Sequence, residues 1–107
     1  MSSHSKGVRT ELLFRKKMEV EGWICEQKNW SRFKQKDFWN CFDFLCLKFG
    51  KVLLAQIKTG NSRKKEVIEN FNAIKEHIPK NWQCEIHVYK GRGAWKVFDL
   101  WKLSTLQ

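Results

Sequence analysis

Apolar positions recur along the chain with two different periods, and the longer period predicts helices. Between residues 5 and 22, one stripe recurs at intervals of three and four, which predicts a first helix ended by Gly22. A second stripe predicts a helix over residues 62–78, with Ser62 as its N-cap and Pro79 closing the segment. Each helix has one apolar side, so each is expected to pack on another element.

Five segments show the alternation or the short apolar runs that are typical of β-strands. They are residues 23–28, 41–48, 51–59, 83–90 and 94–100. The second and third are apolar on both faces, as in central strands that are covered on both sides. Tight turns are predicted at Phe49-Gly50 and at Gly91-Arg92-Gly93. The order α-β-β-β-α-β-β predicts an α/β fold with a mixed central sheet flanked by helices.

The turn at Phe49-Gly50 determines which side chains of the second and third strands lie opposite one another. With a two-residue loop, the register places Asp43 directly opposite Gln56. Opposed Cβ atoms of an antiparallel pair are roughly 4.5 to 5.5 Å apart. Lys58 follows Gln56 by two residues and points to the same face. A carboxylate, an amide and an ammonium are therefore predicted to meet within an apolar sheet, which is costly unless each group has a partner.

This arrangement resembles the core of the PD-(D/E)XK nuclease superfamily, whose hairpin carries a metal-binding Asp, an acidic or sometimes an amide residue, and a Lys. It is most similar to the small archaeal-type and viral Holliday junction resolvase-like members, in which a K-D-F-x-x-x-F-D phrase precedes a strand that ends Q-V-K or E-V-K. The matching residues are Lys36, Asp37, Phe38, Phe42 and Asp43, followed by Gln56, Ile57 and Lys58. Two residues differ from the family's pattern, because Phe42 replaces Pro and Gln56 replaces the acid. The second difference removes one negative charge from the metal site.

The resemblance implies a restriction-endonuclease-like core and a Mg²⁺- or Mn²⁺-dependent DNA endonuclease. Glu11 matches a Glu of the first helix that often joins the metal cluster, although on the residues alone it is equally well explained as a boundary residue of the apolar stripe. The implied metal ligands are the carboxylates of Glu11 and Asp43, the amide oxygen of Gln56 and the carbonyl oxygen of Ile57. Lys58 is implied to position or activate the attacking water. Junction cleavage requires two active sites, which implies a homodimer.

The charge of the chain independently favours a nucleic-acid partner. Lys and Arg number 21 against 11 Asp and Glu, which gives a net charge of +10 and a pI near 9.7. Two basic clusters are predicted to contact phosphates, one in an aromatic-rich loop and one at the positive end of the second helix. They are Arg32, Lys34 and Lys36, and Arg63, Lys64 and Lys65. The alternative for each cluster is a solvated charge run without a ligand, and the charge does not distinguish DNA from RNA.

Length and composition predict the remaining features. A chain of 107 residues is the size of one small domain, with residues 1–5 expected to be disordered. No apolar run approaches the roughly 20 residues of a membrane span and no signal peptide is recognised, so we expect a cytoplasmic protein, in the host cytoplasm if it is viral. The four cysteines are predicted to be buried and reduced, with a zinc site as the alternative. His87 is predicted to be a hydrogen-bonded core residue rather than a catalytic base.

Two other functions remain open on the sequence. The first is a noncatalytic nucleic-acid-binding module with a degenerate nuclease fold. The second is a scaffold protein in which Asp43, Gln56 and Lys58 form a satisfied polar core. Metal-stimulated cleavage distinguishes a nuclease from both.

Overall fold

The computed structural model describes residues 3–27, 38–39, 41–60 and 63–105, which form a five-stranded sheet with helices packed on both faces. The elements are α1 (Ser3–Val20), β1 (Ile24–Gln27), β2 (Phe44–Lys48), β3 (Lys51–Thr59), α2 (Lys65–Ile74), a 3₁₀ helix (Lys75–His77), β4 (Gln83–Gly91), β5 (Ala94–Asp99) and α3 (Leu100–Thr105). In this part of the chain, no helix is both long enough and apolar enough to cross a membrane.

The strands lie in the sheet in the order β1-β2-β3-β4-β5. Neighbouring strands are antiparallel except β3 and β4, which are parallel. A parallel pair needs a long connection, and α2 with the 3₁₀ helix provides it. The predicted α/β class and mixed sheet are therefore confirmed, together with the predicted order of helices and strands up to β5.

The hairpin of β2 and β3 has the predicted turn and register. Lys48 pairs with Lys51 next to the turn, and the ladder continues to the pair of Phe44 and Ala55. Phe49 has a φ of 44° and Gly50 a φ of 81°, and two successive positive values are what a two-residue type I′ turn requires. One pair further along, the same register places Asp43 opposite Gln56, as predicted.

β3 separates two apolar clusters because its side chains alternate between the faces of the sheet. Leu54 packs with α2 and α3, whereas Leu53, Ala55 and Ile57 pack with α1. Residues 53–57 are all buried, which confirms that β3 is a central strand covered on both sides. The cluster towards α2 and α3 comprises Cys41, Phe42, Leu54, Val67, Ile68, Phe71, Ile78, Cys84, Ile86, Val88 and Leu100. The cluster towards α1 comprises Phe14, Met18, Cys25, Phe44, Cys46, Leu53, Ala55 and Ile57.

All four cysteines are buried and free, as predicted. Cys25 and Cys46 lie directly opposite each other on β1 and β2, and the Cys46 thiol donates to the sulfur of Cys25 at 2.9 Å. The pKa of Cys46 is raised because its proton is held in this hydrogen bond and because the thiol is buried.

The ends of both predicted helices differ from the sequence pattern. α1 begins at Ser3, within the segment expected to be disordered, and ends at Val20. Gly22, with a φ of 94°, ends it as predicted, and the N–H group of Trp23 turns back to the carbonyl of Met18 at 3.0 Å. α2 does not begin at Ser62, because the N-cap position is Lys64, whose side chain makes no capping hydrogen bond.

Two further differences lie next to the sheet. β2 begins at Phe44 rather than at residue 41, because the backbone before it forms a turn in which the N–H groups of Cys41 and Phe42 both bond to the carbonyl of Phe38. α3 was not predicted. Asp99 starts it by accepting a hydrogen bond from the N–H group of Trp101 at 2.9 Å.

We predict that Phe71→Ala lowers the free energy of unfolding by about 3 to 5 kcal/mol, the usual cost of removing a buried aromatic ring. Phe71 is fully buried, and its ring centroid lies 4.9 Å from that of Trp101 and 6.3 Å from that of Phe42. Phe49→Ala is the matched control, because Phe49 is 94% exposed. This substitution should change the free energy of unfolding by less than about 0.5 kcal/mol. Urea unfolding measures both, and equal values for the two variants would contradict the packing described above.

Candidate active site

Asp43 lies at the start of the hairpin and is buried, with only 3% of its surface exposed. Two hydrogen bonds hold it there. Its backbone N–H group donates to the carbonyl of Ala55 at 2.8 Å, which extends the β2–β3 pairing beyond Phe44. Its side-chain Oδ2 accepts a hydrogen bond from the N–H group of Ile57 at 2.9 Å. The hairpin therefore ties this buried carboxylate to the middle strand of the sheet.

Gln56 is buried beside Asp43, and its amide has two orientations with different chemistry. With Nε2 towards the hairpin, the amide donates to Asp43 Oδ2 at 2.9 Å and to the carbonyl oxygen of Cys41 at 3.1 Å, and its Oε1 faces donors. In the reverse orientation, Oε1 would face only those two oxygens. Hydrogen bonding therefore selects the orientation in which the amide is a donor to Asp43.

The reverse orientation would give the site the oxygen ligands that a cation needs. It brings together three oxygens, Asp43 Oδ2, Gln56 Oε1 and the Cys41 carbonyl, with Oε1 at 2.9 and 3.1 Å from the other two. Adjacent ligands of an octahedral Mg²⁺ with bonds of 2.0–2.1 Å are roughly 2.9 Å apart, and Mg²⁺ prefers oxygen ligands. The residues therefore fit such an ion, provided that the Gln56 amide makes a half-turn.

Lys58 and Ile57 extend the site along β3. Lys58 is partly buried and lies two residues beyond Gln56, on the same face of the strand. Ile57 points its side chain into the cluster towards α1. The contact of its peptide group with Asp43 is made by the N–H group, whereas the sequence resemblance implied its carbonyl oxygen as a ligand.

Glu11 reaches this end of the sheet from α1. Its Oε1 accepts a hydrogen bond from Nε2 of Gln27 at 2.6 Å. Gln27 pairs with Phe44, the residue after Asp43. Next to Glu11, the hydroxyl of Thr10 lies 3.0 Å from the hydroxyl of Thr59, which follows Lys58. Glu11, Asp43 and Lys58 therefore lie at one end of the sheet, with Glu11 on the helix that covers the face opposite to Lys58.

Sequence reasoning missed two residues of this region, Gln27 and Cys41. Gln27 lies on the same face of β1 as the buried Cys25, and this alternation was the available signal. Cys41 contributes through its backbone carbonyl, for which a side-chain pattern carries no signal. No group of three or more His, Cys, Asp or Glu side chains that could hold a metal lies among the described residues, which also leaves the zinc alternative without a site there. The ligand set implied by the resemblance has only two residues of these types, Glu11 and Asp43, because its third side chain is the amide of Gln56.

Of the predicted phosphate-binding residues, the structure describes only the three next to the start of α2. Arg63 is exposed, and Lys65 pairs with Glu69 within α2 at 4.0 Å. Lys64 places its Nζ 4.5 Å from the ring centroid of Phe98. Lys64 is the N-cap residue and Lys65 the first helical residue, so Arg63, Lys64 and Lys65 lie at the N-terminal end of α2. Arg32, Lys34 and Lys36 lie outside the described residues.

His87 is a hydrogen-bonded core residue, as predicted. It is 3% exposed, its Nε2 lies 2.8 Å from Glu85 Oε1, and its Nδ1 lies 3.3 Å from Lys17 Nζ. Burial lowers the pKa of Lys17, although Glu21 and Glu85 oppose this effect. Ile57, the partner of His87 on β3, belongs to the cluster towards α1, so this polar group lies on the face opposite to Gln56.

No protein-family model matches the sequence, and no curated protein matches it. Among solved structures, the chain shares the fold of a Holliday junction resolvase. That protein is Hjc from the archaeal hyperthermophile Archaeoglobus fulgidus, determined at 1.6 Å resolution. The match has a TM-score of 0.66 and 13% sequence identity, and it covers 88% of this chain and 77% of that chain. The mixed five-stranded sheet with flanking helices is thus an Hjc-like fold.

We expect Gln56→Glu to destabilise the protein without divalent ions and to increase its stabilisation by Mn²⁺. The substitution removes a donor to Asp43 Oδ2 and puts two carboxylates in contact, and the loss of a hydrogen bond to a charged group costs about 1.5 to 3 kcal/mol. Thermal unfolding with and without Mn²⁺ measures both effects. Asn81→Asp makes the same chemical change at an exposed turn and is the control. Equal Mn²⁺ shifts for the two variants would mean that position 56 is not at a cation site.

Proposed function

We propose that the protein is a Mg²⁺- or Mn²⁺-dependent DNA endonuclease of the PD-(D/E)XK type. The main support is the contact of Gln56 with the buried Asp43 carboxylate on the β2–β3 hairpin, within an Hjc-like fold. The net charge of +10 supports a polyanionic substrate. A buried carboxylate in an apolar sheet has no evident structural advantage over an apolar residue, whereas a metal site requires one.

In this proposal, the metal ligands are Asp43, Glu11 and, after the half-turn of its amide, Gln56. The Cys41 carbonyl oxygen adds a neutral ligand next to Gln56. A bound Mg²⁺ or Mn²⁺ would neutralise charge on the phosphate and generate a nucleophile from a bound water. Because Mg²⁺ in such sites is commonly held by one or two carboxylates together with substrate phosphates, this set is sufficient once DNA is present.

Lys58 is the proposed catalytic residue that contacts the reacting groups. As an ammonium on the same face as Gln56, it can donate a hydrogen bond to the attacking water or to a nonbridging oxygen of the scissile phosphate. Either contact stabilises the negative charge that develops in the transition state. The partial burial of Lys58 strengthens this effect because it excludes part of the surrounding water.

The proposed substrate is branched DNA, as the name of the matched resolvase suggests. Resolution of a four-way junction requires two cuts related by symmetry. We therefore propose that the active form is a homodimer with one site in each protomer.

A second candidate function is a noncatalytic DNA-binding module. It is favoured by the hydrogen bonds that the Gln56 amide and the Ile57 N–H group donate to Asp43 Oδ2, which stabilise the carboxylate without a metal. In such a protein the hairpin would be a polar core, and DNA binding would depend on salt but not on divalent ions.

The test is cleavage of four-way junction and linear DNA, with and without Mn²⁺. We expect Asp43→Asn and Lys58→Met to reduce Mn²⁺-dependent cleavage by at least about a hundredfold, the lower end of the range for a group that assists proton transfer. DNA binding in EDTA should change little, because neither residue is needed for the long-range attraction. Lys51→Met, at the exposed opposite end of β3, is the matched control for the loss of one cation.

Cleavage by either site variant at the rate of the Lys51 variant would contradict the assigned roles. DNA binding by the wild type without metal-stimulated cleavage would favour the noncatalytic module. Thermal unfolding of each variant separates a loss of activity from a loss of folded protein.

A further inference from the structure

A basic cleft lies next to the proposed active site and was not anticipated from the sequence. It has a volume of about 330 Å³ and lies at the carboxyl ends of the parallel strands β3 and β4. Arg9 and Thr10 of α1, Thr59 of β3, Tyr89 of β4 and Arg92 of the β4–β5 turn line it. Thr59 directly follows Lys58 but points to the other face of β3, so the cleft lies on the α1 side at the same end of the sheet as the proposed catalytic lysine.

The cleft combines positive charge with hydroxyl groups. Arg9 and Arg92 are both exposed, and none of the described residues that line the cleft carries a carboxylate. The hydroxyls of Thr10 and Thr59 lie 3.0 Å apart between these two elements. Guanidinium groups match phosphate oxygens with two parallel hydrogen bonds, and the Tyr89 hydroxyl, which accepts a hydrogen bond from Gly93, still has its own proton to donate. This chemistry suits a phosphodiester.

The wall formed by the β4–β5 turn is held rigidly. The Tyr89 hydroxyl accepts a hydrogen bond from the N–H group of Gly93 at 3.0 Å, and the Tyr89 carbonyl accepts one from Gly60 at 2.9 Å. Lys90 donates to the carbonyl of Gly60 at 3.0 Å, which ties the turn to the end of β3. The cleft is therefore preformed, which reduces the ordering cost of binding.

Arg92 occupies a backbone conformation that is unfavourable for its side chain. Its φ is 53°, between Gly91 at 94° and Gly93 at 77°. A non-glycine residue in the left-handed region is strained, and such strain concentrates at binding sites. Glycine or asparagine would be less strained here, so the turn presents an arginine at a conformational cost.

We propose that this cleft binds the phosphodiester backbone of the DNA strand that enters the active site, with Arg9 and Arg92 on the phosphates and the Tyr89 ring against a sugar or base. This inference rests on the proposed function, because it assumes that DNA is the partner. It names contacts that differ from the two basic clusters predicted from the sequence.

The experiment measures the affinity for a fluorescein-labelled synthetic four-way junction in EDTA. Fluorescence anisotropy gives the affinity at NaCl concentrations between 50 and 200 mM. Arg9→Gln combined with Arg92→Gln should lower the slope of log affinity against log salt by about 1.8, at about 0.9 per phosphate contact. The affinity deficit of this variant relative to the wild type should then shrink about tenfold over that salt range. Lys51→Gln combined with Lys80→Gln removes the same charge at the opposite end of the parallel pair and should leave the slope unchanged.

Equal slopes for the two double variants would contradict the proposal that the cleft binds DNA. Cleavage in Mn²⁺, measured on the same proteins, tests the nuclease separately. If the wild type cleaves and the slopes are equal, the cleft is wrong and the nuclease stands. If the slopes differ as expected and the wild type does not cleave, the cleft stands and the nuclease proposal fails.

Discussion

The hydrogen bonding of the buried Asp43 carboxylate is the constraint on which the hairpin and the candidate site both depend. A charged group that is 3% exposed costs several kcal/mol unless its oxygens have donors. Ile57 and Gln56 provide two, and they are within reach because the turn at Phe49-Gly50 sets the register. A slip of one residue would turn these side chains to the opposite face of their strand, so the carboxylate and the register stabilise each other.

In the proposed metal site, Gln56 would determine the balance between a metal-free and a metal-bound state. A carboxylate at this position would repel Asp43 without a metal and attract an ion strongly, since two unit charges 4 Å apart interact by about 4 kcal/mol at an effective dielectric constant of 20. The amide instead donates to Asp43 in one orientation and offers an oxygen in the other. The metal-free fold is thereby stabilised at the expense of metal affinity, and a phosphate that approaches with the ion would compensate for part of the lost charge.

Much of the hairpin was predictable from the sequence because its determinants are local. The period-two pattern and the two-residue turn define the contact of Asp43 with Gln56 without reference to the rest of the chain. The start of α2 at Lys65 was not predictable, because the N-cap Lys64 makes no side-chain capping bond and instead lies over Phe98 of β5. The contact of Glu11 with Gln27 likewise depends on how α1 packs on the sheet, which no local pattern specifies.

The arrangement of charge gives the two ends of the sheet different properties. Asp43, Lys58 and Thr59 lie at one end, because β2 begins where β3 finishes. β1 ends at Gln27 beside Phe44, and β3 ends at Thr59, so both strands finish at this same end. At 0.1 M salt, charges act over about 10 Å, so Arg9 and Arg92, which line the cleft beside Thr59, would attract a polyanion to this end. A carboxylate at position 56 would oppose the approach of that polyanion. In the proposed metal site, the charge that Gln56 removes would therefore favour the arrival of the phosphate that a weaker metal site requires.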